Sequence, residues 1–172
     1  YWQDYRIFAA ERERLAQQFR PADSALSEAV ARTIAAIRGG SGERLVALHV
    51  RRGDYLVAGS GFKPIPLVRI HGALAALDST VRVAIFSDDL KWCREQFEGD
   101  RFSFVDTGSA LGDMFAMTLC DDHIIANSTF SWWPAFLKSD PENGTVFAPD
   151  TWYEVERPGW RDRLHLPGWR SY

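Results

Sequence analysis

Three observations predict an α/β fold with a parallel sheet and helices on both faces. Short apolar runs alternate along the chain with segments of helical period, joined by brief connections. The runs are continuous, as in Leu45-Val46-Ala47-Leu48, which is how strands buried on both faces read. Polar clusters stand at the ends of these runs, where open α/β sheets bind ligands.

In chain order, residues 1–22 read as a connector. Tyr1, Trp2, Tyr5 and Phe8 are aromatic, and Phe19-Arg20-Pro21 ends the opening helical stretch. Residues 23–172 read as the α/β domain. Asp23 or Ser24 caps a helix with apolar positions at Ala25, Leu26, Ala29, Val30, Ile34 and Ile37. Arg38-Gly39-Gly40-Ser41-Gly42 stops it; this segment lacks Gly-Lys-Ser/Thr and precedes a strand, so it is a turn and not a phosphate loop. The first strand runs to Val50, and a Gly- and Pro-rich loop, Leu56 to Pro66, follows at the ligand edge. Helix Leu67–Leu77 and strand Val81–Phe86 come next. Asp88 is the expected N-cap of helix Leu90–Phe97. Strand Arg101–Val105 leads to helix Leu111–Cys120, with Met114, Met117 and Leu119 as its core side. Strand His123–Ala126, helix Trp132–Leu137 and strand Thr145–Ala148 complete the pattern. Trp152 to Tyr172 is aromatic with little periodicity.

The chain has 172 residues, enough for one domain, and 46% hydrophobic residues suffice for an ordinary core. A net charge of −3 argues against binding nucleic acid through bulk charge. Cys93 and Cys120 sit in apolar helical patterns and read as reduced, buried residues. No apolar run approaches the ~20 residues of a membrane span, and no signal peptide is seen. The chain starts at Tyr1 and not Met, which reads as a piece of a longer protein.

Three constellations carry chemistry. The first is His49-Val50-Arg51-Arg52-Gly53-Asp54-Tyr55 at a strand end. Adjacent arginines leave a strand on opposite sides, so one can face a ligand while a carboxylate such as Asp54 holds the other. A fixed guanidinium fork suits a phosphate or carboxylate. The second is Asn127-Ser128-Thr129-Phe130-Ser131 before a helix, an anion site by its N–H groups and hydroxyls. Together the two fit a diphosphate. The third is Ser87-Asp88-Asp89, whose carboxylates suit a divalent metal but more simply start a helix. Asp113, at another helix start, has the chemistry to accept from guanine N1–H and N2–H₂.

His49 to Tyr55, Phe86-Ser87-Asp88-Asp89, and Ile125-Ala126-Asn127-Ser128-Thr129-Phe130-Ser131-Trp132-Trp133 resemble, in this order, the motifs of α-1,2-fucosyltransferases of glycosyltransferase family 11. The resemblance implies a GT-B variant, of which this chain is the C-terminal, donor-binding half. It implies inverting transfer of fucose from GDP-fucose to a galactose-type hydroxyl of a glycan, without a metal or other cofactor. Arg51 would grip the β-phosphate as the catalytic residue, with His49 beside the nucleotide and Asp113 at guanine. Asn127, Ser128, Thr129 and Ser131 would form the phosphate-side turn. Arg52, Asp54 and Asp88 would support the site. No nucleic acid partner is expected. The implied location is cytoplasmic or peripheral to a membrane, of bacterial type, the latter through the full-length protein. A binding-only remnant, half a cleft that holds a donor without turnover, is the alternative.

Overall fold

The computed structural model describes residues 4–40, 43–138, 143–155 and 157–172. Tyr1 and Trp2 of the connector and Ser41-Gly42 of the glycine-rich stop lie outside the described residues. Six strands, β1 (Leu45–Val50), β2 (Arg82–Ser87), β3 (Phe102–Phe104), β4 (Asp122–Ile124), β5 (Val146–Ala148) and β6 (Arg170–Ser171), form one sheet. All pairings are parallel, in the order β3-β2-β1-β4-β5-β6. β1 is central and buried at all six positions. It pairs with β2 from Leu45 opposite Arg82 to Val50 opposite Ser87, and with β4 from Val46 opposite Asp122 to Leu48 opposite Ile124.

The helices are α1 (Tyr5–Phe8), α2 (Arg12–Gln18), α3 (Ser24–Arg38), α4 (Leu67–Ala75), α5 (Leu90–Gln96), α6 (Ala110–Thr118), α7 (Thr129–Lys138) and α8 (Arg161–Leu164). The period-2 alternation of β1 sorts them onto two faces. Val46, Leu48 and Val50 pack with Ile70 and Leu74 of α4 and Cys93 of α5. Leu45 and Ala47 pack with Val30 and Ile34 of α3 and Phe115 and Met117 of α6. Burying one such side chain is worth about 1.5–3 kcal/mol. Beyond β5, Trp132 and Phe136 of α7 join Trp152, Trp160 and Leu164 in a third cluster. Phe8 and Phe19 flank Trp133 at 5.1 and 5.5 Å, so the N-terminal segment rests on α7. The amino edge of the sheet is locked by Arg44, whose Nη2 and Nε reach the two oxygens of buried Asp122 at 2.6 and 2.9 Å.

Several local expectations change. Asp89, not Asp88, caps α5, accepting from the Trp92 N–H at 3.1 Å. Asp88 is drawn instead to the Arg52 N–H across the sheet, at 2.9 Å. Helix α7 begins at Thr129 and not at Trp132, so Pro134 lies in its second turn, beyond the first-turn position where Pro is favoured. In α6 the fully buried side chains are Ala116 and Met117, with Phe115 beside them, while Met114 and Leu119 are half-buried. The aperiodic tail holds α8 and β6, anchored by two hydrogen bonds no periodicity reveals. Trp132 Nε1 donates to the Leu164 carbonyl at 2.7 Å, and the Tyr172 hydroxyl to the Ile125 carbonyl at 2.8 Å.

Candidate functional site

The strand order places β1 beside β4 while their following connections run to opposite ends of the sheet. Such a reversal opens a crevice at the carboxyl ends of the two strands, and ligands bind there in this fold. Here the crevice receives Arg51 from the end of β1 and Asn127-Ser128-Thr129 from the β4–α7 turn. A pocket of about 160 Å³ occupies it. Arg51, Asp54, Asn127, Ser128 and Thr129 line its polar end, and Tyr55, Phe62, Trp152 and Tyr153 its aromatic end.

Arg51 does not stand alone. Its guanidinium pairs with Asp54 at 2.8 Å and with Asp88 at 3.2 Å, and lies 5.7 Å from the Tyr55 ring centroid. An unpaired, solvated Arg51 is what the strand-end reading expects of an empty site, and the two carboxylates correct that. Arg52 leaves on the other face, as the alternation demands, but its carboxylate is Asp89 at 3.1 Å, not Asp54. Its guanidinium also lies 3.8 Å from the Trp92 ring centroid, a cation–π contact that only a planar cation of this reach makes well. The physical reason is reach: Asp54 sits in a one-turn helix, Gly53–Leu56, that carries it back beneath Arg51.

The turn after β4 is held from several sides. The Asn127 side-chain amide donates to the carbonyls of Lys63 and Trp152 at 3.1 and 3.0 Å. The Asn127 carbonyl accepts from the Tyr55 hydroxyl at 2.8 Å, and Asn127 Oδ1 is buried without a partner. Asn127 is thus a clamp joining three loops at the pocket wall. The Ser128 hydroxyl accepts from the Phe130 N–H at 3.3 Å, bracing the first turn of α7. Ser131 is 1% exposed, and its hydroxyl turns to the carbonyls of Ala126 and Ser128, away from the pocket.

His49 lies beneath the crevice on the α6 face, its ring centroid 5.3 Å from that of Phe130. Burial, with Arg51 nearby, pushes its pKa down to about 3, so the ring is neutral at pH 7. Its Nδ1 is buried without a partner. Asp113 stands at the start of α6 on the same carboxyl edge, outside the Arg51 pocket. Its Oδ1 accepts from the Thr107 N–H and hydroxyl at 2.9 and 2.8 Å.

Sequence reasoning brings Arg51, Asp54, Asn127, Ser128 and Thr129 together in one pocket, as the structure does. It misses Phe62, Trp152 and Tyr153. Their signal was aromatic residues inside aperiodic loops at the ligand edge. A neighbouring pocket of about 470 Å³ shares Asn127 and Tyr153 with the first. Among the described residues no three His, Cys, Asp or Glu side chains gather as a metal set. Likewise no described helix is long and apolar enough to cross a membrane.

The sequence matches the model of glycosyl transferase family 11 over residues 5–172. It is 30% identical to an α-1,2-colitosyltransferase of Escherichia coli, over 91% of this chain and 56% of the relative. It is 31% identical to the O-antigen biosynthesis glycosyltransferase WbnK of Escherichia coli, over 72% of this chain and 43% of the relative. Galactoside α-(1,2)-fucosyltransferase 1 of Bos taurus is 30% identical over 58% of this chain and 31% of its own length. The chain spans about half the length of the first two relatives. Among solved structures, the fucosyltransferase NodZ from Bradyrhizobium is similar over 76% of this chain and 58% of its own, with a TM-score of 0.46 and 18% identity. A likeness of that size carries no functional argument. None of these names supports the membrane association expected above.

Proposed function

The chain belongs to glycosyltransferase family 11, and we propose that it is the donor-binding portion of an inverting, GT-B-type α-1,2-fucosyltransferase. In this reading the donor is GDP-fucose and the acceptor a galactose-type hydroxyl of a glycan. Residues 1–22 serve as the connector to the rest of the whole protein. One observation carries the proposal: Arg51 and the start of α7 meet across the β1–β4 crevice, in one pocket. A guanidinium fork opposite a helix N-terminus is a diphosphate site.

Transfer would be a single in-line displacement at the anomeric carbon. The acceptor oxygen bonds to that carbon as its bond to the β-phosphate oxygen breaks, and negative charge grows on the departing GDP. Arg51 and the Ser128-Thr129 helix start stabilise that charge where it develops. Losing a stabiliser of this kind costs on the order of 3 kcal/mol, about 10²-fold in rate. Asp54 and Asp88 orient the guanidinium. Asp113 reads guanine, its carboxylate fixed by Thr107, and neutral His49 lines the nucleotide side. The carboxylates of the Asp88-Asp89 pair are both engaged by arginines, so the reading uses no metal.

Calorimetry with GDP and GDP-fucose, followed by an assay of donor hydrolysis, tests the proposal. Binding of both that survives EDTA is expected; no binding of either would end the donor-site reading. The chain's half-length match to its relatives favours one second reading, a chain that binds the donor without turnover. Binding with neither hydrolysis nor transfer, even with the remainder of the protein supplied, would select it.

A further inference from the structure

Resting on the donor-site reading, we infer that the aromatic end of the Arg51 pocket selects a 6-deoxy sugar, with Phe62 and Tyr153 as the specificity-determining residues. The pocket changes chemistry along its length. Tyr55 belongs to both ends: the Arg51 guanidinium lies 5.7 Å from its ring centroid, and Phe62 stacks on it at 4.9 Å and 10°. Tyr153 continues the wall, its ring 5.6 Å from Phe62. In a nucleoside diphosphate sugar the hexose is bonded directly to the β-phosphate. A phosphate on Arg51 therefore delivers the sugar to this wall. At about 160 Å³ the pocket falls below the roughly 300 Å³ at which whole-ligand pockets begin, so it takes the sugar and its phosphate and not the base.

The polar groups at this end are already committed. The Tyr55 hydroxyl donates to the Asn127 carbonyl, and both donated hydrogen bonds of the Asn127 amide go to the carbonyls of Lys63 and Trp152. One face of Tyr153 is covered by Arg157, 4.3 Å from its centroid. A C6 hydroxyl brought here would lose water and meet aromatic carbon. A C6 methyl would bury apolar surface against the same rings. The wall therefore accepts the methyl end of a 6-deoxyhexose and disfavours the otherwise identical hexose.

The test compares calorimetric affinities for GDP, GDP-L-fucose and GDP-L-galactose, the last differing only by the C6 hydroxyl. The expected result is a preference for GDP-L-fucose over GDP-L-galactose of about tenfold or more, the scale at which one hydroxyl is read in an apolar pocket. Phe62→Ala should bring the two within about twofold while GDP still binds. Tyr153→Ala, at a half-exposed position, gives the same comparison if Phe62→Ala does not fold. Equal affinities in the unaltered protein, or an intact preference in the folded variants, would overturn the inference while GDP binding left the donor site standing. Absence of GDP binding would remove the donor-site reading and this inference with it.

Discussion

The carboxylate of Asp88 reaches from the end of β2 to the end of β1, where it pairs with Arg51 at 3.2 Å. The same carboxylate accepts from the backbone N–H of Arg52, so it fixes both the path of the chain and the fork that follows it. Asp54 holds the other side of Arg51 but is 61% exposed, against 24% for Asp88.

That difference separates two variants. Asp88→Ala leaves an N–H without its partner and frees the guanidinium, and should cost about 1–2 kcal/mol of stability and weaken GDP binding severalfold. Asp54→Ala removes an exposed ion pair worth less than about 1 kcal/mol, and removes a carboxylate that competes with phosphate for Arg51. Its GDP affinity should hold or rise at low salt. Urea midpoints and calorimetry measure both; equal stability losses would contradict the assignment.

Gly53 owes its place to Asp88. A Cβ at Gly53 would come within 2.5 Å of Asp88 Oδ2, so Gly53→Ala must displace the carboxylate or the one-turn helix. The expected loss is about 1–3 kcal/mol, as for other overpacked sites. In the Asp88→Ala background the clash is gone, so the Gly53→Ala penalty should shrink by more than half. Additive losses in this double-mutant cycle would show that the two residues do not meet.

His49 sets a pH dependence. Its folded pKa is about 3, and an unfolded histidine titrates near 6.5. Between those values the unfolded chain holds the extra proton, so stability falls as pH drops below about 6.5. His123, pushed down to about 4 by burial, acts in the same direction. The slope has a ceiling of about 1.4 kcal/mol per pH unit for each histidine. Between pH 6.5 and 4.5 the unaltered protein should lose about 2 kcal/mol more than a His49→Leu variant, measured by urea unfolding. Parallel curves would mean that His49 is protonated in the folded state.

Asp113 is assigned to the base. Asp113→Asn should lower affinity for GDP toward that for ADP, because an amide cannot accept both guanine N–H groups, a difference of about 1–3 kcal/mol. It should also loosen the Thr107 turn, so the variant is compared by the ratio of GDP to ADP affinity. An unchanged ratio would remove Asp113 from the guanine site.

Much of this site was legible before any coordinates, for identifiable reasons. Continuous apolar runs betrayed the parallel strands, and motif order put Arg51 and Ser128-Thr129 at strand ends that share an edge. Asp88 and Asp89 were exchanged because either can start α5, and only the N–H of Arg52, 36 residues earlier, decides between them. Arg52 was given Asp54 for the same reason, since Asp89 and Trp92 are distant in sequence. The aromatic wall was illegible because Phe62 and Tyr153 lie in loops without period, brought together by tertiary contacts alone. β6 is two residues long, too short for any alternation to register.

The most direct measurement is the GDP affinity of the unaltered chain beside that of Arg51→Lys and Arg52→Lys, by calorimetry at one ionic strength. Lysine keeps the charge but loses the planar fork, so Arg51→Lys should weaken GDP binding by tenfold or more. Arg52→Lys loses its stacking on Trp92 and should mainly lower the melting temperature, with GDP affinity within about threefold of the original. If Arg52→Lys proved the stronger binding defect, or if neither substitution changed GDP affinity, Arg51 would not be the residue that holds the donor diphosphate.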